Sequence, residues 1–241
     1  GQSGAEVLLL EKEDADRLTF AQEDRLDLES LHMDKSLSYK IRKKNLKRQT
    51  IETHTHKNVQ LGTLGQEAAK GACQVLEWLP ILQEKGLDLE EKHLRKAMED
   101  TYVTPAFGMV CTKPLVFVDD TTTGQQADRL IEDIETYLTD KPVVMVWGAT
   151  KETQTGEMLQ AFCPRVSYIL TVAPPGKNRI PSYDLAQEIL GTTPNVTAVD
   201  SLEEAYEIIK MILPKDGVVL VVGNLQLLRK YMSLIEDITH K

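Results

Sequence analysis

No apolar run in this chain approaches the roughly 20 residues needed to cross a bilayer, so no membrane-spanning helix is expected. Val7 to Leu10, the first apolar stretch, is too short for the core of a signal peptide. The phosphate-cradling pattern G-x-x-x-x-G-K-[ST] occurs nowhere, so these residues contain no P-loop. Basic residues are in deficit: 28 Lys and Arg against 37 Asp and Glu leave a net charge of −9, which argues against a nucleic-acid-binding coat. Cysteine is scarce and odd in number. Cys73, Cys111 and Cys163 are widely spaced in apolar surroundings and read as buried thiols in a reducing, cytoplasmic setting. Their spacing suits no zinc site. His54 and His56 alternate and would share one face of a strand, but two ligands alone do not make a metal centre. Neither a metal nor a nucleic-acid or membrane partner is therefore expected.

What is present is ordinary globular material, 41% hydrophobic and 27% charged over 241 residues, enough for one large domain or two small ones. The chain opens Gly-Gln-Ser-Gly without Met, so its natural start is expected upstream or replaced. Glu6 to Leu10 reads as one buried strand, and Glu11 to Ser30 as an acidic short helix with a loop. Lys40 to Arg48 is strongly basic, and Thr50 to His56 alternates Ile and Thr with charge, which predicts a hairpin exposed on one side. The basic run invites a polyanion; lysines blunting a sheet edge explain it more simply. Ala68, Ala72, Val75, Leu76 and Leu79 recur at helical steps within Leu64 to Leu82, with Pro80 expected to end or kink that helix. Asp88 is expected to cap a second helix reaching Met98, with Glu91 in the capping-box position. Thr101 to Thr112 reads as linker or extended strand. The domain boundary falls there, giving 1–103 as a smaller α+β segment and 104–241 as an α/β domain.

Beyond that boundary short apolar strands alternate with amphipathic helices. Strands are predicted at Leu115–Val118, Val143–Trp147, Ser167–Val172, Val196–Val199 and Val218–Val222. Helices are predicted at Gln125–Leu138, Thr155–Phe162, Tyr183–Leu190, Leu202–Leu213 and Leu225–Ile235. That rhythm implies right-handed crossovers and a Rossmann-like, mostly parallel sheet covered by helices on both faces. Ser201 and Glu204 form a capping-box pattern. Between Pro114 and Ala127 a strand runs into a small polar turn and then a helix, the junction where open α/β sheets place ligands. Asp119 can bind a nucleotide ribose or metal there, or cap the next helix. Thr121, Thr122 and Thr123 with Gly124 can form an anion nest, or simply a polar turn. Lys177 and Arg179 sit on a loop after another strand end, within possible reach of the same crevice or merely in solvent. Trp147 reads as core or interface packing.

The order of these features resembles the Mur ligase superfamily and, within it, folylpolyglutamate synthase / dihydrofolate synthase. Lys141-Pro-Val-Val-Met-Val-Trp-Gly-Ala-Thr-Lys151 is similar to that family's strand with a glycine and a lysine-containing turn. Asp200-Ser-Leu-Glu-Glu-Ala205 is similar to its "DSxEEA" helix start, and Asp216 to Leu225 to its last strand and turn. The two helices before the boundary resemble the end of the family's central ATPase domain. The resemblance implies joining of glutamate to a folate through an acyl phosphate made from ATP with Mg, and makes Lys151 a phosphate contact or else a solvated turn residue. It places the P-loop upstream of Gly1.

Several of the family's motifs are replaced. Leu64-Gly-Gln-Glu-Ala68 stands for "HQxxN", Pro105-Ala-Phe107 for "PGR", and Asp119-Asp-Thr-Thr-Thr123 for "DGAHN". Threonine does not titrate near neutrality as histidine does, and phenylalanine cannot make an arginine's bidentate contact. The expectation is the C-terminal portion of a folylpolyglutamate synthase-like ligase, with no catalytic residue assigned and no activity of its own. Asp119, Thr121, Thr122, Thr123 and Lys151 are its cofactor-binding candidates, and ATP and Mg its cofactors by resemblance only. The alternative is a non-catalytic binding or scaffold module of the same descent, or, third, a small-anion sensor using the Thr-Thr-Thr-Gly turn. Expected partners are the missing N-terminal ATPase portion or a second copy, with folate and glutamate as small molecules by resemblance.

Overall fold

The computed structural model describes residues 39–86, 88–102 and 106–239. The strand expected at Glu6 to Leu10 and the acidic stretch to Ser30 lie outside them. Three short strands, β1 (Tyr39–Lys44), β2 (Gln49–Thr53) and β3 (Val59–Leu61), form an antiparallel sheet in that order. Alternation sets its inner face: Gln49, Ile51 and Thr53 are buried while Thr50 and Glu52 are less so. Ile51, Val59 and Leu61 close a small core against Ala69 and Leu76 of α1 (Gln66–Glu84). The basic run lies on β1, at the sheet's edge, and in the turn after it.

Two helix boundaries differ from expectation. Pro80 neither ends nor interrupts α1: it is exposed, so its ring meets solvent, and the helix runs on until Lys85 N–H donates to Ile81 O. The next helix, α2 (Glu91–Asp100), starts later than Asp88 would allow. His93 and Leu94 N–H both donate to Glu90 O, so Glu90 takes the capping position without a side-chain cap. α2 packs Leu94 and Met98 on the small core.

The second sheet has six strands in the order β4 (Gly108–Thr112), β5 (Leu115–Asp119), β9 (Val218–Val222), β6 (Val143–Trp147), β7 (Tyr168–Val172), β8 (Val196–Val199). Only β4 is antiparallel to its neighbour. Helices α3 (Gly124–Tyr137), α4 (Thr155–Phe162) and α5 (Ser182–Leu190) cover one face, where Phe117, Met145, Trp147, Ile169 and Leu220 point. Helices α6 (Leu202–Ile212) and α7 (Leu225–Thr239) cover the other, over Val116, Val144, Leu170 and Val219. Every residue of β6 and β9 is buried, as expected of central parallel strands. Ser201 accepts from Glu204 N–H, and the Glu204 carboxylate takes Asp200 N–H rather than that of Ser201. No described helix is long and apolar enough to cross a membrane.

Candidate functional site

Parallel pairing aligns the carboxyl ends of β5, β9 and β6, so Asp119, Val222 and Trp147 share one register row. The turns after β6 and β9 touch: a Cβ on Gly223 would stand 2.6 Å from Gly148 O, so a side chain there is excluded. The turn after β6 also zips to the loop after β7. Lys151 N–H donates to Asn178 O (2.9 Å), Ile180 N–H to Ala149 O (2.9 Å), and Thr150 bridges Arg179. Lys151 and Arg179 are therefore neighbours along the backbone of this rim.

Asp119 is buried at the end of β5 and does not cap the following helix. One oxygen accepts Phe107 N–H at 2.7 Å; the other accepts Thr121 N–H at 2.9 Å and its hydroxyl at 2.5 Å. Burial pushes the Asp119 carboxyl up to about 6, against the pull of these donors. The cap belongs to Thr123, whose side chain accepts Gln126 N–H in a full capping box. Gln126 Oε1 in turn accepts the N–H groups of Thr122 (2.9 Å) and Thr123 (3.2 Å). Gly124 N–H donates to Gln154 Oε1 at 3.1 Å. Each amide from Thr121 to Gly124 thus faces an oxygen from this chain's own side chains.

Below this turn lies a cleft of about 200 Å³ between α3 and the start of α1. Asp119 and Thr121 line it; Thr122, Thr123 and Lys151 do not. Its charged lining is Glu67, Asp119, Asp120 and Asp133 against Arg129, whose guanidinium is held by Glu67 at 2.6 Å. Asp133 is a further residue of the cleft, an acid among Ala127, Leu130 and Ile134 on the buried stripe of α3 and so a visible anomaly in the sequence. Its Oδ1 accepts Gln66 N–H, the first of α1, at 3.0 Å. Burial pushes its carboxyl up to about 7, and Asp119, Glu132 and Glu67 add to the rise. Gln49 ties the layers further, donating to Thr63 O and Gly65 O and accepting from Tyr137 Oη at 2.5 Å.

Of the three thiols expected to be buried, Cys73 is, whereas Cys111 and Cys163 are only partly buried; Trp147 packs edge-on to Phe162 in the core. Among the described residues no cluster of three His, Cys, Asp or Glu can hold a metal. A triphosphate with its metal finds no fitting donor set in these residues, since the turn amides are taken up and the cleft is acidic.

Known proteins are similar to this chain over much of its described length. Residues 107–225 match the family model for the Mur ligase glutamate ligase domain. The dihydrofolate synthase/folylpolyglutamate synthase of Buchnera aphidicola subsp. Schizaphis graminum is 22% identical over 149 residues, covering 62% of this chain and 35% of that protein. The Mycobacterium tuberculosis folylpolyglutamate synthase complexed with ADP superposes with a TM-score of 0.70 at 14% identity, over 88% of this chain and 52% of that one. The Thermotoga maritima folylpolyglutamate synthase gives 0.68 at 18% identity, over 83% and 47%. The chain spans about half the length of these solved relatives, and the two-sheet arrangement is the fold of their C-terminal part.

Proposed function

From the match of residues 107–225 to a Mur ligase glutamate ligase domain, we propose that this chain is the C-terminal portion of a folylpolyglutamate synthase-like ligase. Such a ligase adds glutamate to a folate at the expense of ATP. We propose further that the chain has no such activity by itself. One observation carries the second statement: the amides of Thr121, Thr122, Thr123 and Gly124 already donate to Asp119, Gln126 and Gln154. A cradle for phosphate needs such amides free, with a cation nearby. In this reading the N-terminal ATPase portion supplies the cradle and Mg, 1–103 is the tail of that portion, and Lys151 on the rim approaches the nucleotide only in the assembled enzyme. Asp119 and Thr121 then line the shared cleft, in a cytoplasmic ligase.

Titration calorimetry of this chain with ATP and Mg tests it, together with an assay containing ATP, folate and glutamate. No binding heat and no turnover are expected; nucleotide bound at micromolar Kd, or turnover above background, overturns the reading. The non-catalytic alternative is favoured by Phe107, whose ring stacks on Phe117 (centroids 4.6 Å) where the resemblance calls for an arginine. Under it, the apolar groove of about 530 Å³ between α1 and α2 is covered by another protein surface, and no added ATPase portion restores turnover.

A further inference from the structure

α1 begins without a cap of its own. Gly65 holds the N-cap position with no side chain to offer, yet the first orphan amide of the helix, Gln66 N–H, is satisfied. Its acceptor is Asp133, from the other layer of the molecule, on α3. The approach depends on glycine: a Cβ at residue 65 would stand 2.8 Å from Asp133 Oδ2. The same seam carries Arg129–Glu67, Gln66–Glu132 and Tyr39–Gln66 contacts. Asp133 is the one of these groups that is both buried and ionisable at the cleft.

The charges that face it are mostly of its own sign. Glu67 approaches from α1, Glu132 from its own helix, and Asp119 and Asp120 from the end of β5. Arg129 is the cation at hand, but Glu67 holds its guanidinium. Tyr39 from β1 and Tyr137 from α3 are neutral, burial holding both phenols above their ordinary value. The helix N-terminus favours the anion, while desolvation and the carboxylates of Asp119, Glu132 and Glu67 oppose it.

We propose that Asp133 is a proton-sensitive latch between the α1 layer and the α/β domain, closed when protonated and loosened when ionised. Protonated, Oδ1 still accepts Gln66 N–H and no charge is buried against Glu67, Glu132 and Asp119. Ionised, the same carboxyl is repelled from the seam, and the cleft it lines widens. Raised titration of Asp133, to about 7, supports this and sets the working range near neutrality. The sign follows from linkage: an acid titrating higher in the folded protein gives its full stabilisation below the ordinary value of 3.8, and loses it as pH rises through about 7. The latch does not depend on whether the protein is a ligase.

The test is carbon-13 NMR of the Asp133 carboxyl across pH 4 to 9, with amide exchange at Gln66 in wild type and Asp133→Asn. Asparagine keeps the accepting oxygen without the charge. A carboxyl midpoint between about 6 and 8, and Gln66 exchange at pH 8.5 at least 10-fold slower in the variant but within about 2-fold at pH 5.5, are expected. A midpoint near 4 overturns the proposal even where the variant fails to fold. So does a variant-to-wild-type exchange ratio that is the same at both pH values.

Discussion

Replacing Gly65 with alanine probes the seam from its other side. Gly65 has φ 95 and ψ 164, a region open essentially to glycine alone, so alanine costs about 1–3 kcal/mol in backbone strain. The new Cβ would stand 2.8 Å from Asp133 Oδ2, so the carboxyl must withdraw and release Gln66 N–H. Losing that hydrogen bond costs about 1 kcal/mol more. The sum, about 2–4 kcal/mol, is a large part of the ~5–15 kcal/mol that holds a domain folded. Urea unfolding at pH 6 of wild type, Gly65→Ala, Asp133→Ala and the double variant separates the two parts. With Asp133 truncated the Cβ has room and no hydrogen bond remains to lose, so Gly65→Ala should then cost only the backbone share. A coupling of about 1 kcal/mol between the sites is expected. Additivity within about 0.3 kcal/mol, or a single variant costing under about 0.5 kcal/mol, would refute the geometry on which the latch rests.

Asp119→Asn should destabilise most below about pH 4 and least above about pH 6. Both Asp119 oxygens accept from N–H groups, so an amide would set a donor against Phe107 or Thr121 and cost about 1–3 kcal/mol, read by denaturant melting. The wild-type Asp119 contribution carries the sign of a raised acid: present below about 4, lost as pH rises through about 6, and measurable as a pH-dependent gap from the variant. Thr123→Ala removes the α3 cap and should lower stability by about 1 kcal/mol with little pH dependence.

The α/β half was readable because its signals are local. Val143–Trp147 and Val218–Val222 are continuous apolar runs of strand length, and the helices between them carry regular apolar stripes. Helix ends were harder: Asp88 is a good capping residue by type, but the chain enters α2 two residues later, at Glu90. The cleft was only half legible. Asp119 and Thr121 announce themselves at a strand end, whereas Asp133, Glu67 and Arg129 meet only because α1 and α3 pack together, more than 60 residues apart. The nest illustrates a further limit. Sequence shows the Thr-Thr-Thr-Gly amides but not that Gln126 and Gln154 fold back to fill them.

Those filled amides bear on the proposal that these residues descend from a ligand site. Independent losses of ligand contacts would leave unsatisfied groups in the cleft, at about 1–3 kcal/mol each. Among the described residues the unsatisfied buried side-chain atoms are Trp147 Nε1 and Tyr231 Oη, and neither residue lines the cleft. Phe107 adopts φ 43, a conformation disfavoured for a bulky side chain. It is held there by its own N–H on Asp119 and by its ring against Phe117 and Tyr137. An arginine could not occupy that apolar site without burying its charge. Asp119 accepts the backbone N–H of Phe107, which any residue there would offer, and both the N–H and the hydroxyl of Thr121. That satisfaction is what a structural role would require, and it leaves the carboxylate with little left to offer a ligand.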